Sequence, residues 1–243
     1  MDRTTADVVV VGGGMAGLTA SIFTARHDLE TIVFDTGESI LRRNAHLENF
    51  PGFPAGVNAR NLLDLVGEQA EGAGVIRETA AVTSVSGADG AFRVETDAGD
   101  VVVSTYVIVA TKNEVGFLEG IEGIGIIDRG KDYVDVDERG RSGVDGLYVA
   151  GRLAEMPHQA VVSAGHGAMV AVTLLEDDDR PFYHDWVTPD GYFTGRDRDL
   201  PPGCEEIDAE ESRRREERSL ELMRERFAEP HPDDQETHPS LVE

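Results

Sequence analysis

Apolar positions recur with two different periods along this chain, and the changes between them mark out its elements. Residues 7–11 form a short β-branched apolar run stopped by glycines, as expected of a strand buried on both faces. From residue 15 to 25 the spacing lengthens, with Leu18, Ile22 and Ala25 near one face, which predicts a helix. Residues 31–34 read as a second strand, closed by Asp35. Strand, glycine turn, helix and strand within about 30 residues is the size of a βαβ unit.

Downstream, residues 38–56 read as an irregular loop containing Asn49-Phe50-Pro51-Gly52-Phe53-Pro54, and residues 58–72 as a helix with Leu62, Leu63, Leu65 and Val66 apolar. Three short segments at 82–85, 92–95 and 101–103, punctuated by Gly and Asp, predict an antiparallel meander. Residues 106–110 read as a separate buried strand, 113–132 as a Gly-rich loop, 146–150 as another strand, and 159–175 as a helix with small residues on one face. Residues 208–228 predict a charged helix, with Asp208-x-x-Glu211 as its capping box and a narrow stripe of Leu220, Met223 and Phe227. Residues 231–243 read as a disordered end. The fold class expected is α/β: a parallel sheet with helices and a β-meander over residues 1–176, then an acidic, partly helical extension over 177–243.

Charge sharpens that division. The chain of 243 residues carries a net charge of −25. Residues 177–243 alone hold 21 acids and nine arginines. Such a balance argues against a nucleic-acid partner, since phosphate contact needs clustered basic charge. Lysine occurs only at Lys112 and Lys131. An acid-rich, Lys-poor chain resembles proteins of extreme halophiles, in which salt screens the self-repulsion; an acidic mesophile protein is the alternative. No apolar run approaches the roughly 20 residues of a membrane span, so a soluble cytoplasmic protein is expected, with no membrane partner. The single cysteine, Cys204, allows neither an internal disulfide nor a C-x-x-C pair.

The chemistry-bearing motif is Gly12-Gly13-Gly14-Met15-Ala16-Gly17, a G-x-G-x-x-G between a predicted strand and helix. Gly12 permits the tight turn, Gly14 lets a pyrophosphate approach the backbone, and Gly17 lets helix and strand pack closely. The helix start then offers free N–H groups and a positive dipole end. Asp35 can accept from a ribose 2′-hydroxyl and would repel a 2′-phosphate, which disfavours NADP. FAD and NAD both remain open from these residues. The late strand-plus-helix at 146–175 and the intervening meander favour FAD.

This arrangement resembles the FAD domain of the thioredoxin reductase family, over about residues 5–176. The matching pieces are VVVVGGGMAGLTASIFTAR, ENFPGFP at 48–54, YVIVAT at 106–111 and GLYVAGRLAEMPHQAVVSAGHGAMVA at 146–171. The resemblance implies that Gly12, Gly14, Met15, Ala16 and Gly17 hold the FAD pyrophosphate and Asp35 the adenosine ribose. It also implies that Asn49 and the His158-Gln159-Ala160 segment border the flavin. Val82, Ala110, Thr111 and Gly151 complete the implied cofactor contacts, with Lys112 and Arg152 at positions where relatives carry Gly and Asp. Arginine can only donate, so the family's contact from Asp to a ribityl hydroxyl cannot be made by Arg152. Relatives insert a nicotinamide domain where this chain has the 35 residues 111–145, and they carry a C-x-x-C.

The expected protein is a single-domain FAD-dependent oxidoreductase. Its electrons would come from a ferredoxin, another flavoprotein or a small-molecule substrate. The alternative is a catalytically degenerate FAD- or nucleotide-binding module with a regulatory or assembly role, and a conventional NAD enzyme is a third reading. Relatives are often homodimers through the FAD domain, so a homodimer is implied too. No catalytic acid or base is assigned and no metal site is expected. His158 reads as a polar helix-start residue or as a catalytic or flavin contact, His166 as helix packing, and Arg42 and Arg43 as a solvated loop pair or as contacts to the adenosine end. The aromatic stretch from Phe182 to Phe193 reads as tail packing against a surface that relatives cover with their second domain, or as a partner patch.

Overall fold

The computed structural model describes residues 5–88, 90–182 and 184–237. The chain divides into two compact units, Met1–Asp178 with Gln235–Glu243, and Asp179–Asp234.

The first unit is built on a seven-stranded sheet. Strand β1 (Thr5–Val11) leads into helix α1 (Met15–Arg26), which returns to β2 (Thr31–Asp35). Val8, Val9 and Val10 are fully buried, as a central parallel strand covered on both faces requires. Helix α2 (Ala59–Gly72) follows, capped by the Asn58 side chain, which accepts from the Arg60 N–H at 2.9 Å. It leads to β3 (Ile76–Thr79), parallel to β2. The meander is β4 (Val82–Ala88) and β5 (Ala91–Thr96), antiparallel to each other.

Two points differ from the sequence reading. Residues 101–103 and 106–110 do not form two strands. They belong to one, β6 (Val101–Val109). Its first half pairs antiparallel with β5, while its second half runs parallel to β9 (Leu147–Val149), with β1 parallel along its other edge. Ser104 and Thr105 break the apolar run, and Val103 and Thr105 are exposed, because only the second half is covered on both faces. The second point is β3, for which the sequence carries no signal: IRET has one half-buried edge and no apolar run. The parallel order is thus β3-β2-β1-β6-β9, and the carboxyl ends of these strands open on one side.

Between β6 and β9 lies a two-stranded hairpin, β7 (Ile126–Asp128) and β8 (Asp132–Val134). Helix α3 (Ala160–Asp177) follows β9 and packs on α1. Its end is pinned by Asp177, which accepts two bonds from the Arg141 guanidinium at 2.7 Å and one from the Tyr148 hydroxyl at 2.9 Å.

The second unit holds a parallel pair, β10 (Trp186–Pro189) and β11 (Cys204–Ile207), and helix α4 (Ala209–Arg226). Three of its aromatic residues pack on one another: Tyr192 and Phe193 meet edge-on at 5.0 Å, with Trp186 within 6.4 Å of both. The Glu206 carboxylate accepts from Thr194 Oγ1 and from the amides of Gly191, Phe193 and Thr194, which hold its pKa down to about 2. Asp208 caps α4 by accepting from the Glu210 and Glu211 amides. Glu211 itself turns to Arg214 and Arg215, so only half of the expected capping box forms. Leu220, Met223 and Phe227 are all exposed. Of the end read as disordered, residues 231–237 have a described backbone and 238–243 lie outside the described residues; the Glu236 N–H donates to the Arg42 carbonyl at 3.1 Å.

Candidate cofactor site

The glycine turn sits where β1 ends, and Gly12 and Gly17 each have a separate steric reason. Gly12 adopts φ 108°, and a Cβ there would stand 2.7 Å from the Ala110 carbonyl oxygen. A Cβ on Gly17 would fall onto the Gly12 carbonyl oxygen, so α1 could not close on the turn. Gly14 is different. It is the N-cap of α1 in extended backbone, and the nearest atom to a Cβ is Ser39 Oγ at 3.7 Å. No side chain caps α1, leaving its first-turn N–H groups to donate to an anion. The Asp35 carboxylate, at the end of β2, lies directly against Gly13.

These residues form one end of an elongated cavity of about 790 Å³. Gly12, Gly14, Met15, Ala16, Asp35, Val82, Ala110, Thr111, Lys112, Arg152, His158, Gln159 and Ala160 all line it. Three implied contacts do not. Gly17 is buried in the α1 packing. Gly151 lies behind the wall, where its N–H donates to His166 Nδ1 at 2.9 Å. Asn49 stands behind Gln159 and donates to its Oε1 at 2.8 Å, joining residues 110 positions apart.

The cavity also takes residues outside those implied contacts. The loop after β2 contributes Ser39, Ile40, Leu41, Arg43 and Asn44, and the turn after β6 contributes Asn113, Glu114 and Phe117. Arg43 is therefore no solvated loop residue, whereas Arg42 faces Asp64 at 3.7 Å. What presses this loop inward is Arg60, buried on α2, whose guanidinium donates to the carbonyls of Asn44 at 3.0 Å and Arg42 at 3.4 Å. Nothing local in the sequence signals that contact.

Lys112 occupies the backbone conformation that glycine would suit, with φ 69°. Its ammonium is held below the usual lysine pKa by burial and then by Arg43, Lys131 and Arg152. Replacing it by glycine should remove a left-handed cost of about 1–2 kcal/mol, partly offset by the greater freedom of glycine when unfolded. Lys112→Gly is expected to raise stability by about 0.5–1 kcal/mol, read as a higher urea midpoint. Arg152 donates through Nε to Asn113 Oδ1 at 3.3 Å.

His158 is exposed, and its pKa is lowered by partial desolvation and by Arg152, Lys112 and Lys131. His166 is buried, and burial lowers its pKa as well. Accepting at Nδ1 from the Gly151 N–H fixes its neutral tautomer, with the proton on Nε2. In both cases the unfolded chain binds more protons, so stability should fall as pH drops below about 6.5. Loss of the acceptor in His166→Ala should cost about 1–3 kcal/mol. His166→Gln keeps an acceptor and should flatten the dependence between about pH 6.5 and 5, as urea midpoints across that range would show.

Residues 7–47 match the family model described as an FAD binding domain. The thioredoxin reductase of Streptomyces coelicolor is 36% identical over 114 residues, covering 44% of this chain and 34% of that protein. The bifunctional thioredoxin reductase/thioredoxin of Mycobacterium leprae is 35% identical over 116 residues, 46% of this chain and 25% of that protein. The alignment with the Streptomyces enzyme thus spans about a third of its length. Among solved structures, a thioredoxin reductase from Gloeobacter violaceus superposes with a TM-score of 0.64 at 18% identity, covering 75% of this chain and 100% of that one. The atypical thioredoxin reductase TRi from Desulfovibrio vulgaris gives 0.60 at 16%, covering 72% and 99%. No helix among the described residues is long and apolar enough to cross a membrane. With its glycine turn and Asp35, the chain contains a segment, residues 7–47, that matches an FAD binding domain, is similar over part of its length to thioredoxin reductases and shares their fold.

Proposed function

We propose that the chain binds FAD along the cavity and acts as an FAD-dependent oxidoreductase fed by an external electron donor. The observation that carries this reading is the continuity of the cavity, which runs from Asp35 and the glycine turn to Gln159 at the start of α3. The turn amides and α1 would hold the pyrophosphate, and Asp35 would accept from the adenosine ribose. Gln159, held by Asn49, would stand beside the ring. His158, uncharged at neutral pH, would be available to accept a proton there. FAD, when bound, supplies the hydride and electron chemistry, and the protein supplies orientation and electrostatics.

Support for an external donor comes from the connection between β6 and β9. Its 37 residues, 110–146, hold a single 3-10 turn, a short hairpin and no second glycine turn, far less than the roughly 100 residues of a typical domain. With Cys204 as the one cysteine, a dithiol cannot form within these residues. A ferredoxin, another flavoprotein or a small organic reductant would fit. The surplus of acid and scarcity of lysine support adaptation to strong salt, so the urea midpoint should rise between about 0.1 M and 2 M KCl.

The visible spectrum of the purified protein tests the reading. Flavin bands that bleach with dithionite support it. A colourless protein that takes up no FAD overturns it and favours the non-catalytic module, for which Lys112 and Arg152 in place of the family's Gly and Asp are the specific support. Rapid bleaching by NADPH alone would refute the external donor.

A further inference from the structure

Beside the His158 end of the cavity lies a smaller pocket of about 390 Å³. Arg43, Lys112, Lys131 and Arg152 converge on it, with His158 at the edge. In a chain of net charge −25, both lysines are spent here. Arginines elsewhere in the same unit pair with acids, as Arg77 does with Glu71 and Arg141 with Asp177. None of these four cations forms an ion pair with an acid among the described residues. Arg43 Nε is also buried without a hydrogen-bond partner among them. Four like charges side by side repel one another; the pKa of both Lys112 and His158 is lowered, by burial first and then by these neighbouring cations. Such an arrangement is relieved by an anion.

Arg43, Lys112, Arg152 and His158 line the large cavity as well, so what sets the pocket apart is Lys131, which lines it and not the large cavity, while the glycine turn and Asp35, where the FAD phosphates would sit, line the large cavity alone. A long polyanion is excluded by the net charge of the chain. We infer that this pocket binds a small polyanion, a molecule bearing phosphate or clustered carboxylate groups, next to the flavin end of the cavity. As the substrate class of the proposed oxidoreductase, the inference rests on that reading. Glu236 is the acid that lines the pocket, and Glu114 lies close to Lys112; both would oppose the ligand.

The test uses full-length protein reconstituted with FAD. Inorganic pyrophosphate and citrate are titrated separately, at constant ionic strength, by calorimetry and by the flavin spectrum. Saturable binding is expected with at least one, and which one separates phosphate-bearing from polycarboxylate ligands. Lys131→Ala should weaken it about tenfold with FAD content unchanged, and Lys131→Arg should restore it. Absence of saturable binding by both probes, or binding indifferent to Lys131→Ala, overturns the pocket. Binding that expels FAD overturns it as well, because the cations would then belong to the cofactor site. Protein that takes up no FAD yet binds a probe through Lys131 would sink the oxidoreductase reading and leave the anion pocket standing.

Discussion

Gly167→Ala is expected to destabilise the first unit by about 3 kcal/mol, whereas Gly165→Ala, in the same helix, should stabilise it by about 0.5–1 kcal/mol. Both glycines lie on α3 and have helical backbone, so propensity alone favours alanine at each. The difference is what a Cβ would meet. At Gly165 nothing stands within 4 Å. At Gly167 the new atom would run into the Ala16 backbone, 2.9 Å from its carbonyl carbon and closer still to its oxygen. Backbone of a close-packed helix pair cannot give way as a side-chain tip would. Separating α1 from α3 by one methyl would also disturb the turn, because Ala16 lines the cavity and its Cβ packs against Gly151. FAD content should therefore fall with stability in Gly167→Ala and hold in Gly165→Ala. Equal urea midpoints for the two variants would show that the helices do not touch as described.

Gly14→Ala is the complementary case, in which binding should suffer far more than folding. Gly14 is an extended N-cap with 3.7 Å to the nearest side-chain atom, so a methyl fits the protein alone. Alanine is a poorer cap than glycine, and the stability cost should stay under about 1 kcal/mol. A pyrophosphate seated on the α1 amides would meet that methyl directly. Overpacking of about 2.7 kcal/mol corresponds to a loss of about 100-fold in FAD affinity. Fluorescence titration of apoprotein with FAD measures it, and urea unfolding of the same apoprotein supplies the control. Unchanged affinity would place the phosphates elsewhere than on the turn. Loss of stability matching loss of affinity would mean that Gly14 serves the fold, as Gly17 does, and not the ligand.

Several elements are legible in the residues alone. β1, α1 and β2 follow from the apolar period and from glycines placed between strand and helix. Asp35 is marked by ending a buried strand. Helix α4 is legible too, because Asp208 and the alternation of Glu with Arg are local signals. β6 reads as two segments because its halves are covered differently, a fact about neighbours and not about residues 101–109 themselves. The aromatic stretch reads as tail packing or as a partner patch, while the fold sets Trp186, Tyr192 and Phe193 against one another with Phe193 buried and Trp186 and Tyr192 still exposed.

By itself the sequence determined the turn, the acid that lies against it and the strand and helix that return to it. Each of these depends on contacts within about 30 residues, where steric and periodic rules act directly. Only the tertiary structure decided what stands around them. Arg60 draws the loop of Arg43 inward, and strand order brings Lys112 beside Arg152. Lysine and arginine in an acidic chain read as ordinary surface charge until the fold sets them side by side. Coulomb interaction depends on distance in space, which the order of residues does not reveal.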